Sequence, residues 1–573
     1  MNIFKYLIRH FFKVFLFLFS CLYLAQGVAQ NKKALVEQIN NRGEAYILIK
    51  VPDKKTLYRL NKMVSIDRAS VRKNYVYAYV TSPQLNKFNE LGLEYSLQTP
   101  PSLKLAATMC PDLASVKNWN CYPTYNQYID LLNEFATNYP DLCKLDTIGT
   151  SVTGRLIPVM KISDNVSQDE EEPAFFYSST MHGDEVTGYV LMLRLIDYLL
   201  SNYQNDNRIK RLIDSTEIWI NPLANPDGTY SAGNTDITGA TRSNANSVDL
   251  NRDFPYPGNV NSPYQKETQD MMRFMESKHF VFAANFHGGA EVVNYPWDIW
   301  STRHADDAWY IKISKQYADT VHANSTAYMT DLQNGITNGY DWYSIAGGRQ
   351  DFANYYLHSR ETTIELSSTK MPDAASLPAY WNYNYRSLLN YIDRVHYGIY
   401  GKITDTLGNP VKAKITLENH DTDSSEIYSN PANGMYYRMI AGGTYNIIFS
   451  APGYDTLIEQ NVTIGDEEQL RLDVVLKKST TYIPKLSGDF AQIKQINNPF
   501  NTSLNFNLYL LENVGQIKFS LFDLSGKKQK ELFFNTNSGD NFLTINTDGL
   551  SKGLYLLKIS SKQFVLRKKL VKN

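Results

Sequence analysis

The stretch that most constrains this chain is Ala174-Phe175-Phe176-Tyr177-Ser178-Ser179, with a long apolar-periodic segment, Val186 to Tyr203, directly behind it. A short run without charge on either alternation reads as a strand buried on both faces. The segment after it repeats its apolar residues at helical spacing. Glu217-Ile218-Trp219-Ile220 and the run from Phe280 to Phe286 read as further strands, and Pro378 to His396 as a closing helix. Strands alternating with helices predict an α/β domain over 118–397, a mixed sheet covered by helices on both faces.

Ahead of it, residues 30–105 carry a smaller α+β pattern. Ala45 to Val51 and Tyr75 to Val80 read as strands, and Lys54 to Met63 and Pro83 to Leu91 as short helices. Thr99-Pro100-Pro101-Ser102 then reads as a linker. The unit is either a pro-region or an accessory domain without an inhibitory role. Before it, residues 1–29 form a signal-peptide pattern: Lys5, Arg9 and Lys13, the apolar run from Val14 to Leu24, and Gly27-Val28-Ala29 as small residues for cleavage. A lipoprotein box at Leu18-Phe19-Ser20-Cys21 is the rival reading, with Phe19 bulky for that motif. No later segment offers 18 uninterrupted apolar residues, so no integral membrane segment is expected in the mature chain.

After Tyr397 the period changes to two. Ala413, Ile415 and Leu417, then Tyr445, Ile447 and Phe449, then Leu472, Val474 and Leu476 alternate between turns such as Leu407-Gly408-Asn409-Pro410. That predicts a β-sandwich over 398–477 and a second β unit over 486–573. Lys plus Arg is 57 against 58 for Asp plus Glu, which argues against a nucleic-acid partner. Of the four cysteines, Cys21 lies in the leader, and Cys110 and Cys121 are close enough to bridge in an oxidising compartment. Cys143 reads as a buried small hydrophobe.

Met181-His182-Gly183-Asp184-Glu185 falls between a strand and a helix. The spacing lets the His182 imidazole and the Glu185 carboxylate face one point, a donor pair that Zn²⁺ favours; a helix-capping Glu beside a structural His reads the same way. His287 ends the strand at Phe286 and would complete three ligands with an open fourth position, the pattern of a catalytic zinc. His279, His304, His322, His358, His396 and His420 lack such placement. Arg242 and Arg252 bracket an Asn-rich loop and are either carboxylate-binding forks or solvated charges. Glu365, between Ile364 and Leu366, points opposite to two apolar neighbours and is either a solvent-face residue or a general base in a partly buried site.

Together these residues resemble the zinc metallocarboxypeptidases over about 280 residues. The order is H-x-x-E at His182, Asn225-Pro226-Asp227-Gly228, then Arg242 to Asn244 and Asp249-Leu250-Asn251-Arg252. His287-Gly288-Gly289, Tyr343 to Gly348 and Thr363 to Leu366 follow. Asn294-Tyr295-Pro296 and Gln350-Asp351 bring the chain nearest the regulatory, carboxypeptidase N/E-like branch. The resemblance implies one Zn²⁺ held by His182, Glu185 and His287, Glu365 as general base, and Arg242 polarising the scissile carbonyl. It also implies Asn251, Arg252 and Tyr343 on the substrate's C-terminal carboxylate, and Asp249 orienting a ligand imidazole. Asp298 and Gln350 would line the pocket for the leaving side chain, giving a preference for C-terminal Arg or Lys, with Arg349 a nearby charge that would oppose it if it faced inward.

Residues 398–477 resemble the transthyretin-like domain of that branch. The last unit resembles the type IX secretion C-terminal sorting domain, through Asn498-Pro499-Phe500-Asn501, Phe522 to Lys527, Gly553 to Ile559 and Lys568 to Lys572. The expectation is a secreted or surface-attached carboxypeptidase whose partners are peptides with a free C-terminus and the type IX machinery. The rivals are a cell-wall peptide amidase on the same scaffold and an inactive peptide-binding module.

Overall fold

The computed structural model describes residues 32–70, 74–259, 263–479, 491–511, 513–561 and 563–573. The signal-peptide reading of 1–29 lies outside them, as does the expected start of the last unit at 486. Contacts divide the chain into two compact units, one of 1–450 with 456–475, the other of 451–455 with 476–573.

The first unit opens with an antiparallel sheet of β1 (Glu44–Lys50), β2 (Ser65–Ser70), β3 (Tyr75–Thr81) and β4 (Tyr95–Leu97), in the order β2-β3-β1-β4. Ala45, Ile47 and Ile49 on one strand and Val76, Ala78 and Val80 on its partner bury one face against helices Lys54–Asn61 and Leu85–Glu90. The segment read as a linker is docked: Ser102 is buried and its Oγ donates to the carbonyl of Ala240 at 2.6 Å. Residues 103–106 beyond it are exposed.

The α/β domain follows as an eight-stranded mixed sheet. Its strands are β5 (Cys143–Thr150), β6 (Leu156–Ile162), β7 (Ala174–Ser179), β8 (Glu217–Asn221), β9 (Phe282–His287), β10 (Glu291–Tyr295), β11 (Ile336–Asn338) and β12 (Arg360–Leu366), in the order β11-β10-β12-β9-β7-β8-β6-β5. The central four, β12, β9, β7 and β8, run parallel. Such strands are buried on both sides, which is why Phe175 and Phe176 face opposite core clusters yet are both fully enclosed. Helices Tyr125–Asn138, Thr187–Asn202, Asp307–His322 and Leu377–Asp393 send apolar residues into one of those clusters, and Lys266–Lys278 and Arg349–Tyr356 into the other. Cys110 and Cys121 form a disulfide and Cys143 is a buried thiol.

The domain after Tyr397 pairs Gly398–Asp405 with Met435–Arg438 and Gln469–Arg471, and sets Lys414–Leu417 between Ile427–Tyr428 and Gly443–Ser450 in a second sheet. Period-two alternation puts Ile415, Leu417, Ile447 and Phe449 inside. Buried Arg438 donates to both oxygens of Asp306 at 2.8 Å and so ties this domain to the α/β domain. The second unit holds two antiparallel sheets, Ala491–Ile496, Ser503–Leu510 and Gly539–Asn546 in one, Lys528–Thr536, Gly515–Asp523, Gly553–Ser560 and Val565–Lys572 in the other. Phe506, Leu508, Phe519, Leu521, Leu557 and Ile559 form its core. No helix among the described residues is long and apolar enough to cross a membrane.

Candidate active site

The C-terminal ends of the parallel strands meet at one small cavity. His287 is the last residue of β9 and pairs across the sheet with Glu365 of β12. The turn after β7 delivers His182 and Glu185 to the same point. Asn225 builds that turn from behind. Its amide donates to the carbonyls of Met181 at 3.1 Å and Arg242 at 3.4 Å, while its oxygen accepts from the N–H of Gly228 at 2.9 Å. The Asn225-to-Gly228 motif is thus a brace between the His182 turn and the loop carrying Arg242.

His182 Nδ1, His287 Nδ1 and Glu185 Oε2 lie within 2.8–3.0 Å of one another, and all three residues are buried. His182 Nε2 donates to Asp249 Oδ1 at 3.0 Å, which fixes the tautomer and leaves Nδ1 as a lone pair. Burial pushes the His287 imidazole down to about 4, so it is neutral at pH 7. Its Nε2 stands 2.8 Å from the amide of Asn285, whose Oδ1 has no partner among the described residues. Turning that amide lets Oδ1 accept from the ring N–H and leaves His287 Nδ1 as a second lone pair. Two imidazole lone pairs and a carboxylate oxygen at such separations repel one another unless a cation sits between them. The donor set fits Zn²⁺.

Around this point the cavity is lined by Arg242, Asn251, Arg252, Tyr343, Asp298 and Glu365, among others. Glu365 Oε2 and the Nε and Nη2 of Arg252 are buried without a hydrogen-bond partner among the described residues. Burial, with the Glu185 carboxylate nearby, pushes the Glu365 carboxyl well above its ordinary range. Ile364 and Leu366 point into the core, so Glu365 faces the cavity, not solvent. Arg242 is held by Asp249 Oδ2 at 3.0 Å and Glu185 Oε1 at 3.2 Å.

Asp298 is 3% exposed and sits against Gly339, where an added Cβ would lie 1.7 Å from its Oδ1. Only glycine lets the carboxylate pack this close to the backbone there. Asn294 and Gln350 both donate to Asp298 Oδ1, at 3.0 and 3.1 Å. Gln350 does not line the cavity; it stands behind Asp298. Arg349 is turned away, its guanidinium paired with Glu361 at 3.0–3.2 Å and fully buried, so its charge does not face the pocket. The remaining described histidines stay outside the site; His304 packs on Trp297, and His420 bonds Asp306.

Residues 128–387 match the sequence profile of the zinc carboxypeptidase family. Residues 398–477 match the carboxypeptidase regulatory-like domain, and 497–573 the secretion system C-terminal sorting domain. Mouse (Mus musculus) carboxypeptidase M is 35% identical over 354 residues, covering 59% of this chain and 80% of that protein. The chain belongs to the zinc carboxypeptidase family. Carboxypeptidase D of the rat (Rattus norvegicus) is 36% identical over 375 residues, 61% of this chain, and the chain spans 26% of that protein's length. Among solved structures, that of thrombin activatable fibrinolysis inhibitor superposes with a TM-score of 0.49 at 14% identity, covering 62% of this chain and 99% of that one. The sorting-domain match indicates export, to the cell surface or beyond it.

The carboxypeptidase site has further residues that sequence reading did not single out, and most lie in the N-terminal unit. The backbone N–H groups of Arg242 and Ser243 donate to buried Glu44, at 2.8 and 3.0 Å. Tyr79 donates to Asp184 at 2.6 Å, and Asn61 reaches the carbonyl of Ser344, next to Tyr343. Asp67 enters the cavity itself and pairs with Lys370 at 2.9 Å. With the unit docked, the cavity measures about 40 Å³. A single water needs roughly 10–15 Å³, so a peptide end does not fit. No motif announces these contacts, because each pairs residues far apart in the sequence.

Proposed function

We propose that the chain is an exported metallocarboxypeptidase that releases single C-terminal residues, Arg or Lys in preference, from peptides and proteins. We further propose that its N-terminal unit, expected over 30–105, is a pro-region that closes the cleft until it leaves. The observation that carries the catalytic reading is the convergence of three lone-pair donors on one cavity lined also by Glu365, whose Oε2 has no partner among the described residues, and by Arg252, whose Nε and Nη2 have none.

His182, Glu185 and His287 would hold the zinc. That ion, when bound, supplies Lewis acidity and makes a water easier to deprotonate. Glu365 takes a proton from the attacking water at its free Oε2, and its raised affinity for protons lets it carry that proton to the leaving amine. Arg242 donates to the carbonyl oxygen as negative charge develops there. Asn251, Arg252 and Tyr343 grip the terminal carboxylate, which restricts attack to the last peptide bond. Asp249 does not touch substrate; it holds His182 and Arg242 in place. Asp298 meets the side chain of the leaving residue, with Gln350 steadying it. The Nε and Nη2 of Arg252, without partners among the described residues, favour a free carboxylate over the amide bond of a cell-wall amidase substrate.

The test is direct. The full-length protein, nicked with trypsin in the exposed 103–106 stretch, should bind one zinc and release Arg from a peptide ending in it. The un-nicked protein should be much slower. Absence of hydrolysis after nicking would refute the catalytic reading, and equal rates before and after would refute the pro-region.

A further inference from the structure

Among the buried cations that the mechanism does not use, Lys370 stands beside a metal-ligand candidate. Lys370 is 3% exposed, and its ammonium lies 2.8 Å from Glu185 Oε1, 3.5 Å from Asp184 Oδ1 and 2.9 Å from Asp67 Oδ1. The first two partners belong to the catalytic domain. The third belongs to the N-terminal unit and departs with it. Asp67 is held there by a second bond from its own unit, the Tyr46 hydroxyl donating to Oδ2 at 2.8 Å.

That carboxylate has a defined neighbour in the catalytic domain. It rests over Gly289 in the turn after His287. Gly289 has φ +122°, a conformation side-chain-bearing residues rarely adopt, and a Cβ there would lie 3.8 Å from Asp67 Oδ1 and 3.6 Å from Lys370 Cε. The turn is thus bare backbone under the carboxylate. The ion pairs of Lys370 go to Asp67, Asp184 and Glu185, and not to Asp298, which is assigned with Asn251, Arg252 and Tyr343 to the last residue of a substrate. A carboxylate on Lys370 therefore belongs to a different residue of the peptide.

We propose that Lys370 forms a second carboxylate subsite in the cleft. Asp67 fills it in the intact chain, and an acidic side chain of the substrate, on the N-terminal side of the scissile bond, fills it once the N-terminal unit has left. The proposal rests on the carboxypeptidase and pro-region readings and adds a substrate class to them: peptides with a basic last residue and Asp or Glu shortly before it. A buried ammonium that loses one of its carboxylate partners gains most from a replacement of the same charge.

The experiment separates binding from turnover. Full-length Glu365→Gln protein, nicked at 103–106 and loaded with zinc, is titrated calorimetrically with two sets of peptides ending in Arg. The sets differ only in Glu or Gln at one of the two positions before the last residue. At one of these positions the Glu peptide is expected to bind about tenfold more tightly. The difference should vanish in Lys370→Met and persist in Lys370→Arg. Equal affinity for Glu and Gln peptides at both positions, or an undiminished preference in Lys370→Met, overturns the subsite. Hydrolysis of the Gln peptide by nicked protein with Glu365 intact tests the carboxypeptidase reading by itself, so the two failures are distinguishable.

Discussion

Replacing Asp298 by Asn keeps the shape of the pocket and removes its charge. The carboxylate is almost fully buried against Gly339 and lines the cavity, and Asn294 and Gln350 donate to the same oxygen. An arriving guanidinium or ammonium would complete its hydrogen bonds. A charge-assisted bond of that kind contributes about 1.5–3 kcal/mol, against about 1 kcal/mol for a neutral one. The difference, about 0.5–2 kcal/mol, corresponds to roughly 2- to 30-fold in kcat/KM. Matched peptides ending in Arg, Lys, Leu and Phe, assayed with nicked wild type and Asp298→Asn, read it out. Arg and Lys substrates should lose that factor in the variant while Leu and Phe change little. Faster cleavage of Leu or Phe by the wild type, or an unchanged ranking in the variant, would refute the reasoning.

Three further outcomes are expected. Burial pushes the Asp298 carboxyl up to about 6, so the charged form is lost as pH falls through that value, and the ratio of kcat/KM for Arg over Leu peptides should drop between pH 7 and 5. Arg252→Ala should raise KM for peptides with a free C-terminus, and the wild type should cleave amidated peptides poorly; equal rates on both would sink the exopeptidase assignment. Ending the chain before about residue 486 should leave hydrolysis intact in lysates but abolish extracellular activity, measured by assaying the culture medium.

Much of this molecule is legible in its residues, for identifiable physical reasons. Strand β7 and the helix behind it announce themselves because both faces of a parallel strand must be apolar. The domain after Tyr397 declares itself through Ile415, Leu417, Ile447 and Phe449, whose alternation sets one face inside. Element ends were less readable. The run from Phe280 enters the sheet only at Phe282, and the final helix gives way to a tighter turn at Arg394–His396, since local hydrophobicity does not register where pairing stops. In the site, His182, Glu185, His287 and Glu365 carry their own spacing. Arg349 does not reveal from sequence that Glu361 draws it away from the pocket. Asp67, Glu44 and Tyr79 carry no signal at all, because their partners lie far along the sequence and only tertiary structure joins them.

The central claim is that this cavity is a zinc-dependent peptidase centre whose proton carrier stands outside the ligand set. It is tested most directly by measuring zinc content and hydrolysis of an Arg-terminated peptide in the same preparation of nicked Glu365→Gln. The account predicts one zinc per chain, as in the wild type, with kcat lower by at least ~10²-fold. Near-normal turnover with zinc retained would contradict it.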